Sequence, residues 1–103
     1  SPKRDYLYVD DLISAIIKSL SYSGKHRVFN IGMGISYSII EIIEIIKKNL
    51  NSDAEIENKN VFRKKEIMET IADIKLAKVE LNWSPSISFE EGIKLLISQK
   101  NII

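Results

Sequence analysis

The segment from Ser38 to Leu50 is rich in isoleucine, and its polar residues are spaced as in a helix. Ser38 and Glu41 have the spacing of a capping box, in which each side chain binds the backbone amide of the other residue. Charged residues interrupt the segment well short of the ~20 apolar residues that a membrane span needs, so it predicts a buried helix and no membrane partner. Isoleucines on both flanks widen its apolar face, so we expect cover on more than one side. The stripe is Ile39, Ile42, Ile43, Ile46 and Leu50, and the flanking residues are Ile40 and Ile45.

Two short β-prone segments lie on either side of this helix. Arg27–Ile31 is β-prone and ends at the turn Gly32-Met33-Gly34, and Ala54–Glu57 alternates like a strand. A strand, a helix and a second strand in this order predict a right-handed crossover with a parallel pair. The expected fold class is therefore α/β or α+β, with a small parallel or mixed sheet.

The remaining segments predict three more helices, about four in total. The run Tyr6–Val9 is β-prone, and Asp10 and Asp11 are expected to cap a helix that begins at Leu12. Glu69–Ala72 predicts a short strand.

The last third of the chain carries its own helix signals. Asp73 is expected to cap a short helix through Leu81, with Asn82 as the left-handed residue that ends it. Trp83 follows and is expected to anchor the core. A second capping box, Ser88–Glu91, opens a last helix, whose predicted inward residues are Phe89, Ile93, Leu96 and Ile97.

Length and charge limit the functions that are open to the chain. With 103 residues, 45% of them hydrophobic, residues 1–103 are expected to form one domain. A net charge of +1 excludes the strong field that would collect nucleic acid. The absence of cysteine and the single His26 exclude a disulfide or a Cys/His metal site and are consistent with a cytoplasmic location. Residues Ser1–Asp5 lack a signal-peptide core, and we expect the chain to begin inside a longer protein.

The chain offers no catalytic tyrosine of the dehydrogenase kind. Such a tyrosine needs a lysine four residues on, whose ammonium lowers the phenol pKa. The four tyrosines are followed at that spacing by Asp10, Leu12, His26 and Glu41. We therefore predict no catalytic residue in this chain.

Gly32-Met33-Gly34 begins like a dinucleotide fingerprint, but Tyr37 occupies the position of the third glycine. A flexible turn between a strand and a helix is the preferred interpretation. We therefore expect no cofactor site in the chain.

Two arginines are candidates for binding an anionic ligand. Arg4 precedes a β-prone run, and Arg63 lies in a polar segment. A guanidinium in either place can bind a diphosphate in bidentate fashion, or it can form a surface salt bridge. The residues by themselves leave both alternatives open.

Five short motifs, in order and in register, carry a family resemblance: Arg4–Asp11, Val28–Gly34, Arg63–Glu66, Ala72–Pro85 and Ser88–Gly92. This series closely resembles the C-terminal part of the extended short-chain dehydrogenases/reductases, the NAD-dependent nucleotide-sugar epimerases and dehydratases. The forms at Arg4–Asp11 and Asn30–Gly34 are most similar to UDP-glucose 4-epimerase. A 4,6-dehydratase, a decarboxylating relative and a free-standing nucleotide-binding or docking domain are the alternatives.

The resemblance implies that this piece holds the nucleotide sugar. It places Arg4 and Arg63 on the diphosphate and Glu66 near the ribose or base. Glu66 replaces the commoner Asp, and Lys64-Lys65 replaces a more usual Pro-Gly pair. The NAD and the catalytic Tyr-Lys pair would belong to an N-terminal Rossmann domain that this chain does not contain.

The first two predicted helices have more apolar residues than one face can hold. Ile13 and Ile17 flank the stripe of the first helix, as Ile40 and Ile45 flank that of the second. We expect the Rossmann domain to cover this surface, or a second copy of the chain where that domain is missing.

Overall fold

The computed structural model describes residues 2–55 and 67–100. Within these two ranges the chain forms four helices and a two-stranded sheet, which confirms the predicted mixed class and helix number. The elements in chain order are β1 (Lys3–Asp5), α1 (Val9–Leu20), β2 (Ser36–Ser38), α2 (Ile39–Leu50), α3 (Lys75–Glu80) and α4 (Phe89–Lys100).

The sheet is built around β1. Its partner β2 is antiparallel, with Arg4 opposite Tyr37. At the other edge of β1, Lys3 forms an isolated parallel bridge with Glu69. The two-stranded sheet is therefore antiparallel, with one isolated parallel bridge beside it, and it uses different residues from those predicted.

Two predicted strands, and the described half of a third, are absent at their expected places. Tyr6–Val9 is not a strand, because β1 ends at Asp5 and α1 begins at Val9. Arg27–Ile31 and the described residues 54 and 55 are also not strands, and Ile56 and Glu57 lie outside the described residues. The predicted parallel crossover is therefore wrong. Phe29 and Ile31 pack against the core as side chains, so burial explains their apolar pattern without a backbone ladder.

The start of α1 also differs from the prediction. The helix begins at Val9, its N-cap is Tyr8, and no side chain caps it. Asp11, expected as a cap, is instead buried and accepts hydrogen bonds from Ser86 and Ile87, far along the chain. A local capping rule could not predict this, because its partners come from another element.

Both capping boxes are confirmed. The Glu41 amide donates to the Ser38 hydroxyl at 3.2 Å, and the Ser38 amide donates to the Glu41 carboxylate at 2.8 Å. The corresponding two distances between Ser88 and Glu91 are both 3.1 Å.

The stop of the short helix α3 is confirmed as well. Asn82 has a φ of 51°, as predicted for the left-handed residue that follows α3. Asp73 lies one residue before the N-cap Ile74, and its carboxylate accepts from the Lys75 amide at 3.1 Å.

The core lies between α1 and α3. Trp83 is only 1% exposed, and its indole N–H donates to the Asp11 carbonyl at 3.1 Å and to the Ser14 hydroxyl at 2.9 Å. Its predicted role as a core anchor is therefore confirmed. The other buried apolar residues of this cluster are Ala15, Ile74, Ala77 and Leu81.

The helix α2 is less covered than its composition predicts. None of its twelve residues is buried, and Ile39 and Ile40 are exposed. The described part of the chain therefore does not supply the expected cover. Among the described helices, none has the length and apolar character needed to cross a membrane.

Candidate functional site around Arg4

Arg4 is the central residue of β1 and is half-buried. Its guanidinium Nη1 donates to the carbonyl of Lys3 at 2.9 Å. Tyr37 lies directly across the strand pair from it. Arg63 and Glu66, the other two predicted site residues, lie outside the described residues.

The backbone beside Arg4 is bonded to a segment that follows Arg63 and Glu66 in sequence. The Lys3 amide donates to the Met68 carbonyl at 2.7 Å, and the Thr70 amide donates to the Lys3 carbonyl at 3.0 Å. Residues 68–70 therefore form the second neighbour of β1, opposite β2.

Asp5, the residue after Arg4, joins two more segments to β1. Its carboxylate accepts hydrogen bonds from the amides of Met33, Gly34 and Ala72, at 2.8, 3.0 and 3.1 Å. Two amides of the Gly32-Met33-Gly34 turn are thus bound to a carboxylate within the chain. They do not fit a phosphate cradle, which agrees with the interpretation of this segment as a turn.

Aromatic side chains extend the Arg4 face toward α4. Tyr37 stacks on Phe89 with ring centroids 4.6 Å apart, and Tyr6 meets the same Phe89 ring edge-on at 5.8 Å. Beyond them, a mostly apolar cavity of about 290 Å³ lies between the segment after β1 and the two helices α2 and α4. Its lining includes Tyr6, Tyr8, Ile42, Phe89 and Leu96.

A second charged group, the Glu41 carboxylate, lies beside β1. The pKa of Glu41 is lowered, first by the Ser38 amide and then by the Ser38 hydroxyl, and Lys3 adds to the effect. That carboxylate is engaged in a helix cap, with Lys3 Nζ 3.8 Å away. Across residues 2–55 and 67–100, no group of three metal-ligating side chains is present.

Sequence reasoning missed the two aspartates that organise the structure. In the sequence, Asp5 belongs to the Arg4–Asp11 motif without a predicted role, and Asp11 is predicted to cap α1. Their partners lie at least 28 residues away in sequence. A single sequence carries no local signal for such contacts.

The sequence profile of the GDP-mannose 4,6-dehydratase family matches residues 1–96. A dTDP-4-dehydro-6-deoxyglucose reductase of Escherichia coli is 40% identical over 95 residues, which cover 92% of this chain and 30% of the relative. A UDP-glucuronate 4-epimerase of Thermodesulfobacterium geofontis is 41% identical over 102 residues, covering 96% of this chain and 31% of the relative.

Solved structures of nucleotide-sugar epimerases also match this chain. A UDP-glucose 4-epimerase from Thermotoga maritima, crystallised with UDP-glucose, superimposes with a TM-score of 0.85 at 35% identity, over 94% of this chain and 31% of that one. A UDP-N-acetylglucosamine 4-epimerase from Methanobrevibacter ruminantium has a TM-score of 0.77 at 31% identity, over 95% of this chain and 32% of that one. The chain thus spans about a third of the length of the proteins it matches.

Proposed function

Since the chain belongs to the GDP-mannose 4,6-dehydratase family, within the extended short-chain dehydrogenases, we propose that it is the nucleotide-sugar-binding part of an NAD-dependent epimerase. In this proposal residues 1–103 form one substrate-binding domain, and Arg4, Arg63 and Glu66 contact the nucleoside diphosphate. The relatives named above come from several organisms, and the name of each enzyme includes a nucleotide sugar. One of the solved structures contains UDP-glucose.

The placement of Arg4 is the structural observation that carries this proposal. Its strand is paired at one edge with β2 and at the other with residues 68–70, so its backbone is held before any ligand arrives. A planar guanidinium on a fixed strand suits bidentate contact with a diphosphate. The Lys3 amide is bonded to the Met68 carbonyl, and Arg63 and Glu66 precede Met68 by only a few residues in sequence. This proximity in sequence supports the proposal that all three residues contact one ligand.

The hydride chemistry is assigned to a part of the protein outside these 103 residues. The Gly32-Met33-Gly34 turn does not fit NAD, because Asp5 occupies two of its amides. We therefore propose that NAD and the catalytic Tyr-Lys pair belong to a Rossmann domain, which would also cover the apolar faces of α1 and α2. A cytoplasmic location is part of the proposal, supported by the lack of cysteine and testable by cell fractionation.

Reading the coding sequence upstream of Ser1 is the first test. A glycine-rich strand–turn–helix and a Tyr-x-x-x-Lys pair are expected there. If neither is found, a free-standing nucleotide-binding or docking domain becomes the better proposal.

The 103-residue chain alone should neither bind NAD nor turn over UDP-galactose, and turnover by material free of a longer enzyme would overturn the assignment.

Kinetics of the protein that carries this chain test the arginines. Arg4→Ala and Arg63→Ala should each raise the KM for the nucleotide sugar by about tenfold or more, the loss expected for one charge-assisted hydrogen bond. NAD binding should not change. Unchanged KM values in both variants would assign the arginines to surface salt bridges.

A dehydratase or a reductase is the second candidate. The matching family profile is that of a dehydratase, and the Escherichia coli relative is a reductase. All these reactions start from a bound nucleotide sugar, so the Arg4 site serves each of them. Assays with UDP-glucose and dTDP-glucose, with products separated by chromatography, distinguish epimerisation from loss of water.

A further inference from the structure

Asp5 holds together three separate parts of the chain. It lies on β1, while its hydrogen-bond donors lie in the turn after residue 31 and at Ala72. Both carboxylate oxygens are used, Oδ1 by Met33 and Oδ2 by Gly34 and Ala72. A carboxylate can accept at both oxygens, whereas an amide side chain of the same shape accepts at only one and presents a donor at the other.

The contacts around Gly32 show how closely these parts approach. A Cβ atom at Gly32 would lie 2.7 Å from the Ala72 Cβ and 2.9 Å from Asp5 Oδ2. Glycine is therefore required for the turn to reach the carboxylate. Gly34, one of the donors, has a φ of 76°, which also favours glycine.

Asp5 and Arg4 are neighbours on a strand, so their side chains point to opposite faces. The bonds of Asp5 therefore hold the strand from the face opposite to Arg4 and keep the carboxylate away from an anion bound by the guanidinium. The Ala72 bond also fixes the end of the segment whose Met68 and Thr70 pair with Lys3.

We propose that Asp5 is a positioning residue for the diphosphate site: its three amide contacts set the direction of the Arg4 guanidinium and the place of residues 68–72 beside it. This inference rests on the proposed function, because it requires that Arg4 bind the diphosphate. A binding site whose supporting contacts are loosened by a fraction of an ångström loses affinity although its binding residue is intact.

The test compares Asp5→Asn with Arg4→Ala and with Asp11→Asn in the protein that carries this chain. Asp11 is a matched control, since it too is an aspartate bonded to distant amides, but its partners are Ser86 and Ile87 rather than the Arg4 surroundings. UDP and UMP are titrated by calorimetry at a temperature where all variants are folded. UMP lacks the second phosphate, so the ratio of the two affinities reports the diphosphate contact.

We expect Asp5→Asn to weaken UDP binding about tenfold and to reduce the preference for UDP over UMP. Asp11→Asn should lower the melting temperature and leave that preference unchanged. In the double variant Arg4→Ala/Asp5→Asn, UDP should bind within about twofold of Arg4→Ala alone, because both changes remove the same contact.

The other outcomes separate the two proposals. If Arg4→Ala weakens UDP binding and Asp5→Asn does not, Asp5 is a structural residue only and the inference is wrong. If Arg4→Ala has no effect, or the unsubstituted protein does not bind UDP, the proposed function fails first. Should Asp5→Asn not fold, Gly32→Ala, which moves the turn without changing charge, is expected to reduce the same UDP preference.

Discussion

Two regions of this molecule each contain an aspartate whose carboxylate accepts hydrogen bonds from distant backbone amides. In the strand region, made of β1, β2, residues 32–34 and Ala72, Asp5 gathers backbone amides around a short sheet. In the helix region, made of α1, α3 and residues 81–88, Asp11 accepts from the amides of Ser86 and Ile87 and from the Ser86 hydroxyl. Each region leads into a helix that opens with a capping box.

The difference lies in what surrounds each carboxylate. Asp11 is 3% exposed, and its own carbonyl accepts from the buried Trp83, so its bonds are part of the core. Asp5 is only half-buried and adjoins Arg4, which is half-buried as well. We therefore expect the hydrogen bonds of Asp11 to contribute mainly to stability and those of Asp5, under the proposal above, mainly to the orientation of Arg4.

Replacing each aspartate with alanine should give the largest difference between the two regions, measured as the loss of unfolding free energy. Asp11→Ala removes a buried carboxylate and its hydrogen bonds to the Ser86 and Ile87 amides. Hydrogen bonds to a charged group contribute about 1.5–3 kcal/mol each, so we expect a loss of roughly 3 kcal/mol or more. Asp5→Ala should cost less, because Asp5 is already half-exposed in the folded chain, whereas Asp11 is 3% exposed. Urea unfolding followed by circular dichroism measures both, and an equal or larger loss for Asp5→Ala would contradict the comparison.

Alanine at two glycines sharpens the comparison at the level of packing. Gly32→Ala places a methyl group against Ala72 and Asp5, and overpacking of this kind costs about 1–3 kcal/mol. Gly92→Ala meets Tyr8 at 2.8 Å, but α4 gains about 1 kcal/mol in helix propensity. We expect the melting temperature to fall clearly for the first variant and little for the second; the reverse order would show that the turn can move.

Lysine at exposed isoleucines tests the surfaces of α1, in the helix region, and of α2, which follows the strand region. Ile17 on α1 is 61% exposed and Ile40 on α2 is 39% exposed. Replacing both with Lys should give a more soluble monomer with stability within about 0.5 kcal/mol per site, the usual range for surface changes. Sedimentation at rising concentration shows whether the unsubstituted chain forms dimers, and unfolding of the double variant would mean that these residues belong to the core.

The smallest effect is expected at the two capping boxes as pH falls. The pKa of Glu91 is lowered by the Ser88 amide and then by its hydroxyl, in the same way as that of Glu41 by Ser38. A carboxyl whose pKa is lower in the folded state stabilises the fold above its unfolded pKa, near 4.5, and this contribution is lost as pH falls through the folded pKa. Glu41→Gln and Glu91→Gln should each make the melting temperature slightly less dependent on pH below about 5. An unaltered pH profile in both variants would show that these two carboxylates do not contribute to stability through the capping boxes.

Local signals predicted the helices well. The spacings Ser38…Glu41 and Ser88…Glu91 and the helix stop at Asn82 depend on residues within one turn, so their physics is contained in the sequence itself. The motif order was also sufficient to predict the family, which the profile match over residues 1–96 confirms. The roles of Arg4, Arg63 and Glu66 remain predictions.

The sequence by itself determined the helix boundaries at the capping boxes, the mixed class, the anchoring role of Trp83 and the family. Tertiary structure alone decided which residues form strands, because a strand exists only where a partner backbone is present. The observed pairing joins β1 to β2 and to Glu69, whereas the sequence predicted a parallel pair of Arg27–Ile31 with Ala54–Glu57. It also decided the roles of Asp5 and Asp11. A carboxylate binds whichever amides the fold brings to it, and those amides come from residues that no local pattern connects to it.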